Sequence, residues 1–450
     1  MVKTVAQLQV PLSGRNYVDA LLAEGPHWNY QRGNTITYSF SLNSFDPNRA
    51  EYVEGVVHEM SETQQANVRQ AFAHASAITG IQFVETSDTA QVHLWSGDLQ
   101  RGIGALCTAT DDIRYGAGGE VASYSARAWI YMDDHDFGAQ NATLNPGTRG
   151  YQTLLHEMGH MLGLKHSFEG GIQLPAEDDN STLTVMSYTT KGRPASAYSE
   201  YDVAALNWLY GGDGLGGARG LNSATGAHYL SGTSRNDLLV GGSAGDLLEG
   251  GAGNDILEGW YGGDVLNGGA GLDTVRYGGS RADHSIGRTA EGFTVTARNA
   301  QHSDTLLNSE RIAFGDLHVA LDIDGVGGQA YRLYQAALNR QPDHLGLGFW
   351  IAKMDDGMSL HGAAAGFMAS PEFAGLYGSA DPEPGAFLTR LYSNVLHRAP
   401  DQPGYEHFLR EFARGVSKAE VLAIFSESEE NRAQLIGAMQ NGVEYLLYNA

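Results

Sequence analysis

Residues 156–166 read H-E-M-G-H-M-L-G-L-K-H, and this stretch decides how the first half of the chain is read. On a helix, His156 and His160 are four residues apart and share one face. Glu157 lies beside them, where it can act on the attacking water of a metal site. Gly163 can take backbone angles closed to other residues, so the chain can turn there and bring His166 back to the same point from outside the helix. Three neutral imidazoles leave one coordination position open, which is the arrangement of a catalytic zinc site rather than a closed structural one. An amphipathic helix with surface histidines is the plainer alternative, and the added Gly163 and His166 make it remote.

The extended pattern also demands a methionine turn downstream. Val185-Met186-Ser187-Tyr188, twenty residues past His166, supplies a candidate, with Met186 setting a soft thioether beneath the histidines. Taken alone, Met186 reads as an ordinary core methionine. Together, H-E-M-G-H-M-L-G-L-K-H and V-M-S-Y resemble the serralysin branch of the metzincins, which are secreted bacterial zinc endopeptidases, over roughly residues 30–320. The resemblance implies an α+β catalytic domain, one zinc ion, and protein or peptide substrates. It also implies that Tyr188 is a further zinc ligand that can swing off to stabilise the tetrahedral intermediate. From spacing alone, Tyr188 is a packed turn residue.

A chain of 450 residues is expected to form two to four domains. Its formal charge of −24 argues against nucleic-acid partners and fits an exported protein or a binder of hard cations. Cys107 is the lone cysteine, so an internal disulfide is impossible, and it reads as a small buried residue. Met1 to Leu8 lack a long apolar core, which makes a poor secretory signal. A membrane span is not expected, because no run of about 18 apolar residues occurs.

Along the chain, Tyr17 to Leu22 suit one or two helical turns, and Thr35 to Phe40 alternate as a first strand. Ser61 to Thr79 read as a helix with a capping box (Ser61, Gln64) and a terminal Gly80. Ile81–Glu85, Gln91–Trp95 and Ala128–Met132 read as strands, and the helix of the histidines starts near Thr153. His93 reads as a structural residue in its strand.

A second motif begins near Gly232. Asp237, Asp246, Asp255, Asp264 and Asp273 recur every nine residues, each followed two positions later by Leu239, Leu248, Leu257, Leu266 or Val275. The runs 250–255 and 268–273 match the G-G-x-G-x-D nonapeptide completely, which identifies a calcium-binding parallel β-roll of the RTX type. Aspartates and the carbonyls of glycines such as Gly250 and Gly268 supply hard oxygen ligands, and the apolar positions fill the core. Calcium is expected to bridge loops two repeats apart, pairing 237 with 255, 246 with 264 and 255 with 273, so about three ions bind. The first loop, with Thr233 and Arg235, and the fourth, with Trp260, depart from the glycine pattern and are expected to be weaker. A glycine-rich linker does not explain evenly spaced aspartates.

Residues 325–450 are helical in pattern and repeat at an offset of 58: Arg332-Leu333-Tyr334 matches Arg390-Leu391-Tyr392, and 339–343 matches 397–401. They resemble a bacterial domain family of unknown function that accompanies exported calcium rolls, and a structural or adhesive module is expected. Near the end, Glu444 precedes four apolar or aromatic residues. The resemblance implies an uncleaved C-terminal signal for type I secretion machinery, with a terminal amphipathic helix as the alternative.

The expected architecture is therefore multidomain: a candidate inhibitory pro-segment over 1–30, an α+β metzincin domain over 31–212, a calcium roll over 213–322 and an all-α domain over 323–450. A carboxylate can take the open position on zinc, and Asp19, followed by the anchoring Ala20-Leu21-Leu22, is the candidate latch. An ordinary helix-capping aspartate is the alternative. The function expected is a secreted, monomeric zinc endopeptidase with Glu157 as general base, exported without a cleaved N-terminal signal. The competing class is a calcium-dependent surface or adhesion protein with an inactive protease domain. A zinc hydrolase acting on another substrate class is disfavoured by the methionine turn.

Overall fold

The computed structural model describes residues 10–24, 28–44, 52–87, 89–119, 121–221, 223–298 and 302–448. Residues 1–9 and 25–27 of the expected pro-segment lie outside them, as does the run Met1 to Leu8 read for an export signal. The chain forms two compact units, residues 1–253 with 259–265 and residues 254–258 with 266–450.

The first unit is built on a six-stranded mixed sheet. Thr35–Ser39 lies between Gln82–Glu85 and Val92–Leu99, parallel to both. Val92–Leu99 in turn runs parallel to Val121–Asp133. It is buried along nearly its whole length, as a strand covered on both faces must be. His93 is buried within it and stacks near Trp95 and Trp129, with ring centroids 5.2 and 6.4 Å away. Two strands of this sheet escaped the sequence reading. Val53–Glu59 and Ala105–Tyr115 pair antiparallel with the central strands, but both are largely solvent-facing and mixed in polarity, so no apolar run marks them.

The helix Glu62–Thr79 forms as its caps dictate. Ser61 N donates to Gln64 Oε1 (2.8 Å), Gln64 N donates to Ser61 Oγ (3.3 Å), and Gly80 closes the far end at φ 73°. The helix of the histidines, Arg149–Met161, starts four residues earlier than the expected Thr153. Thr148 is its cap, accepting from Tyr151 N at 3.3 Å, and the turn before it adds Tyr151 to the buried face of Leu154, Leu155 and Met158. Toward the end of this unit, Tyr229–Ser231 pairs in parallel with Leu247–Glu249, eighteen residues on.

In the second unit, Ile256–Leu257 pairs in parallel with Thr274–Val275 at the same offset of eighteen. An eighteen-residue step is what nonapeptides stacked two apart produce, and Leu239, Leu248, Leu257, Leu266 and Val275 are all fully buried. The chain then turns helical. Helices His344–Asp355, Leu360–Met368 and Pro371–Tyr377 are capped by Asp343, Ser359 and Ser370. Helices Gln402–Ala413, Lys418–Ser426 and Glu429–Met439 are capped by Asp401, Ser417 and Ser428, each 58 residues later.

The repeat is carried by contacts as well as spacing. Arg340 lies 5.0 Å from the Tyr334 ring and binds Glu372, while Arg398 lies 5.0 Å from the Tyr392 ring and binds Glu430. Leu333, Phe367, Phe373, Phe387, Leu391 and Phe425 share one core. Arg332, almost wholly buried in it, is neutralised by Glu427 through two bonds of 2.7 Å. Val443–Tyr445, part of the tail read as a signal or helix, is a strand antiparallel to His318–Ala320. Among the described residues no helix is long and apolar enough to cross a membrane.

Candidate metal centre

The helix Arg149–Met161 ends in a left-handed glycine cap. Gly163, at φ 95°, donates to His160 O (3.0 Å), and Leu164 N donates to Gly159 O (2.9 Å). A side chain would be strained at that angle. The reversal brings His166 back to the helix, where His156, His160 and His166 form one cluster. Their Nε2 atoms lie 3.2, 3.2 and 3.1 Å from one another. Zinc–nitrogen arms of about 2.05 Å at tetrahedral angles separate the nitrogens by about 3.3 Å, so the cluster has the dimensions of a three-histidine zinc site.

Each outer nitrogen is held. His156 Nδ1 donates to Val185 O (2.8 Å), His160 Nδ1 to Leu164 O (2.9 Å) and His166 Nδ1 to Glu169 Oε1 (2.6 Å). Those bonds leave Nε2 as the free lone pair in all three rings. Burial, with His160 next in weight, pushes His156 down to about 3, so it stays neutral as a ligand must. Burial lowers His160 as well. The Tyr188 hydroxyl comes to the same point, 2.9 Å from His166 Nε2, on an otherwise exposed ring.

Glu157 is buried beside His156 and accepts a hydrogen bond from the Cys107 backbone. Burial pushes its carboxyl up to about 8. A dication held at the histidines works the other way and favours the carboxylate. Met186 is fully buried against the histidine helix, where a methyl group on Gly159 would lie 2.6 Å from its sulfur.

Asp19 is not brought to this centre, which corrects the expectation of a latch. Its Oδ1 accepts from Ser13 N (2.7 Å) and Ser13 Oγ (2.8 Å), and its Oδ2 from Gly14 N (3.1 Å). It closes a turn at residues 13–19 and is not the helix cap of the alternative reading, since Arg15 stands at the cap of the short helix Asn16–Asp19. Ala20, Leu21 and Leu22 are buried as an anchor. What they anchor is the turn before His166: Ala23 N donates to Gly163 O (3.0 Å) and Lys165 N to Leu21 O (2.8 Å).

Asp202 is a positioning residue absent from the sequence reading, although it also completes a capping box with Ser199 at the start of the helix Glu200–Tyr210. It is fully buried and accepts from Thr184 Oγ1 (2.5 Å), Val185 N (2.9 Å) and Ser199 N (2.9 Å), fixing the carbonyl that holds His156. Burial pushes its carboxyl up to about 6 despite those bonds. The folded protein therefore binds this proton more tightly than the unfolded chain. The contribution to stability is fully present below about pH 4 and is lost as pH rises through about 6. Asp202→Asn stays neutral, so between about pH 4.5 and about pH 7.5 the unfolding free energy of the unsubstituted protein in urea should fall by about 2 kcal/mol relative to the variant. Equal pH dependence in both proteins would contradict this. Glu169, the other residue missed, sits three positions after His166 and could have been found from that spacing.

The repeat aspartates form pairs, Asp246 with Asp264 in the first unit and Asp255 with Asp273 in the second. Asp246, Asp255, Asp264 and Asp273 are at most 1% exposed. Asp246 N donates to Asp264 Oδ1 (2.8 Å), and Asp255 N to Asp273 Oδ1 (2.7 Å), joining loops two repeats apart by direct hydrogen bonds. Gly250 presents its carbonyl toward Gly232, where a methyl group would lie 2.0 Å from it, and Gly268 faces Asp273 and the Asn308 carbonyl. In the degenerate first loop, Asp237 Oδ2 already accepts from Thr233 N (2.7 Å) and Oγ1 (2.8 Å). Trp260 takes a left-handed φ of 67° where the repeat has glycine. Buried carboxylates among carbonyls fit a hard dication such as calcium.

Comparisons with known proteins bear directly on the repeat aspartates. The family described as "RTX calcium-binding nonapeptide repeat (4 copies)" matches residues 231–262 and 240–275. The family "Domain of unknown function (DUF4214)" matches residues 330–377 and 364–435. Serralysin of Proteus mirabilis is 27% identical over 251 residues, 48% of this chain and 49% of that protein. Metallopeptidase AprA of Pseudomonas marginalis is 26% identical over 245 residues, 48% of this chain and 50% of that protein. The chain thus spans about half the length of the curated relatives it matches. Among solved structures, extracellular lipase LipA from Serratia marcescens is 21% identical, covering 21% of this chain and 15% of that one at a TM-score of 0.19, and that likeness bears on neither fold nor function.

Proposed function

From its likeness to serralysin-type RTX metalloproteases, we propose that this chain is a secreted zinc-dependent endopeptidase stabilised by calcium in a β-roll. The observation that carries the reading is the convergence of three Nε2 atoms within 3.2 Å of one another, with Glu157 next along the same helix. His156, His160 and His166 would hold the zinc in a metzincin-type site, with Met186 packed beneath them. Zinc, when bound, supplies Lewis acidity for water attack on the scissile carbonyl.

Glu157 takes the proton of the attacking water and delivers it to the leaving amine. Tyr188 would serve as a further zinc ligand when the metal is bound and would donate a hydrogen bond from its hydroxyl to the developing oxyanion. Tyr188→Phe is expected to lower kcat about 10²-fold with zinc content and KM little changed. Steady-state kinetics on a quenched peptide, with metal analysis, check this. A Phe variant with undiminished kcat would remove Tyr188 from the mechanism.

The catalytic part is assigned to residues 31–212, the roll to 213–322 and the helical part to 323–450. About three calcium ions bind the roll, the protein works as a monomer, and export uses type I machinery without a cleaved N-terminal signal. Casein zymography in calcium, with and without phenanthroline, tests the function. A cleared band that the chelator abolishes is expected. If zinc-loaded, calcium-replete protein clears nothing, the adhesion-type reading gains and the protease reading fails.

A further inference from the structure

The stacking that joins the repeat loops does not stop at the last nonapeptide. Between consecutive rungs the pattern has two bonds. Asp255 N donates to Asp273 Oδ1 (2.7 Å), and Thr274 N donates back to Asp255 O (2.8 Å). The same pair of bonds occurs once more. Asp273 N donates to Glu310 Oε2 (2.9 Å), and Arg311 N donates back to Asp273 O (3.0 Å). Strand pairing continues in register, Thr274 with Arg311 and Val275 with Ile312, and Val275 and Ile312 are both fully buried. Glu310-Arg311-Ile312 thus stands where the next Asp-x-apolar triplet would stand. It arrives 37 residues after Asp273 instead of eighteen, because the chain first makes the antiparallel strands His284–Arg288, Phe293–Ala297 and Asp304–Leu307.

This last rung has an unanswered acceptor. Asp273 is fully buried, its Oδ1 is taken by Asp255 N, and its Oδ2 has no hydrogen-bond partner. A buried carboxylate oxygen left so is costly unless a cation meets it. The orphan points into a tight cradle: a methyl group on Gly268 would lie 2.6 Å from Asp273 Oδ2 and 2.3 Å from the Asn308 carbonyl oxygen. Asn308 holds a left-handed φ of 44°, and its Nδ2 ties the turn to Asn267 Oδ1 at 2.9 Å. The neighbouring cation does not neutralise the pair, since Arg311 is engaged by Asp322 (2.5 Å) and Asp355 (2.8 Å). Burial raises both the Asp273 and Glu310 carboxyls, with Asp273 itself adding to the rise at Glu310.

We infer that Glu310, with Asp273 and the Asn308 carbonyl, forms a further calcium site that closes the array outside the nonapeptide period. The class of ligand follows from the donors: carboxylate and carbonyl oxygens suit a hard dication, and a mixed set on two loops suits the flexible coordination of calcium more than the strict octahedron of magnesium. Glutamate adds one methylene, which lets a carboxylate reach from a turn that is not a G-G-x-G-x-D loop. The inference rests on the calcium-roll reading and extends it by one ion.

The test is calorimetric titration of calcium into the stripped full-length protein, with bound metal counted after equilibrium dialysis. Glu310→Gln is expected to bind one calcium fewer than the unsubstituted protein, or to bind its last ion at least about 10-fold more weakly, while the other sites are unchanged. Equal stoichiometry and affinity in the two proteins would overturn the inference and leave the nonapeptide sites standing. If the unsubstituted protein binds no calcium at all, the roll reading fails and this site with it. Should Glu310→Gln not fold, hydrogen exchange on the unsubstituted protein decides. Amides of residues 308–312 should gain protection as calcium is added, and the same protection with and without calcium would overturn the site.

Discussion

Replacing Glu157 by Gln is expected to lower kcat/KM on casein by about 10³- to 10⁴-fold while the protein keeps its zinc. The substitution isolates proton transfer. Glutamine has the size of glutamate and can still accept the hydrogen bond from the Cys107 backbone that Glu157 accepts now. It does not disturb the three histidines, whose outer nitrogens are held by Val185, Leu164 and Glu169 rather than by residue 157. What it lacks is a carboxylate to receive the proton of the attacking water. Metal analysis and initial rates on the same preparation check the two halves together. Near-normal cleavage by a zinc-loaded Gln variant would mean that another group serves as base.

Removing calcium is expected to have the largest effect on stability. Asp246, Asp255, Asp264 and Asp273 are buried to within 1% of complete. Carboxylates so placed repel one another and are deprived of water, so the metal-free roll is held together poorly. A site occupied at a hundred times its dissociation constant stabilises the fold by about 2.7 kcal/mol, and three such sites by about 8 kcal/mol, comparable with the whole stability of a domain. Chelating calcium should therefore lower the melting temperature by on the order of 20 °C. Calorimetric scans in excess calcium and in EGTA measure it directly. Superimposable scans would contradict a calcium-dependent roll.

What could be read from the sequence follows from where each feature's information is stored. The histidine cluster was legible because three histidines and their turn fall within residues 156–166, on one helix and its cap. The helix after Ser61 and the buried Leu and Val positions of the repeat were legible for the same reason, since capping and period are local. Asp202 was not, because its partners Thr184 and Val185 are reached only through folding and an aspartate near a helix start reads as a cap. Glu310 was hidden by its spacing, 37 residues from the rung it follows.

Asp19 was misread because its sequence neighbours pointed correctly to an anchor. Leu22 does bridge to Leu164, but the Asp19 carboxylate is satisfied by Ser13 and Gly14 at the other side of its own turn. The strand Ala105–Tyr115 was missed because an exposed, half-polar strand has no one-dimensional signature strong enough to separate it from a loop.

The most direct measurement is a zinc reconstitution titration of the calcium-replete, zinc-stripped protein, following casein cleavage against added zinc. Activity that is absent at the start, rises linearly and levels off at one zinc per chain is the expected result. Cleavage that persists in the zinc-stripped protein, or a fully loaded protein that cleaves nothing, would contradict a zinc endopeptidase built on His156, His160 and His166.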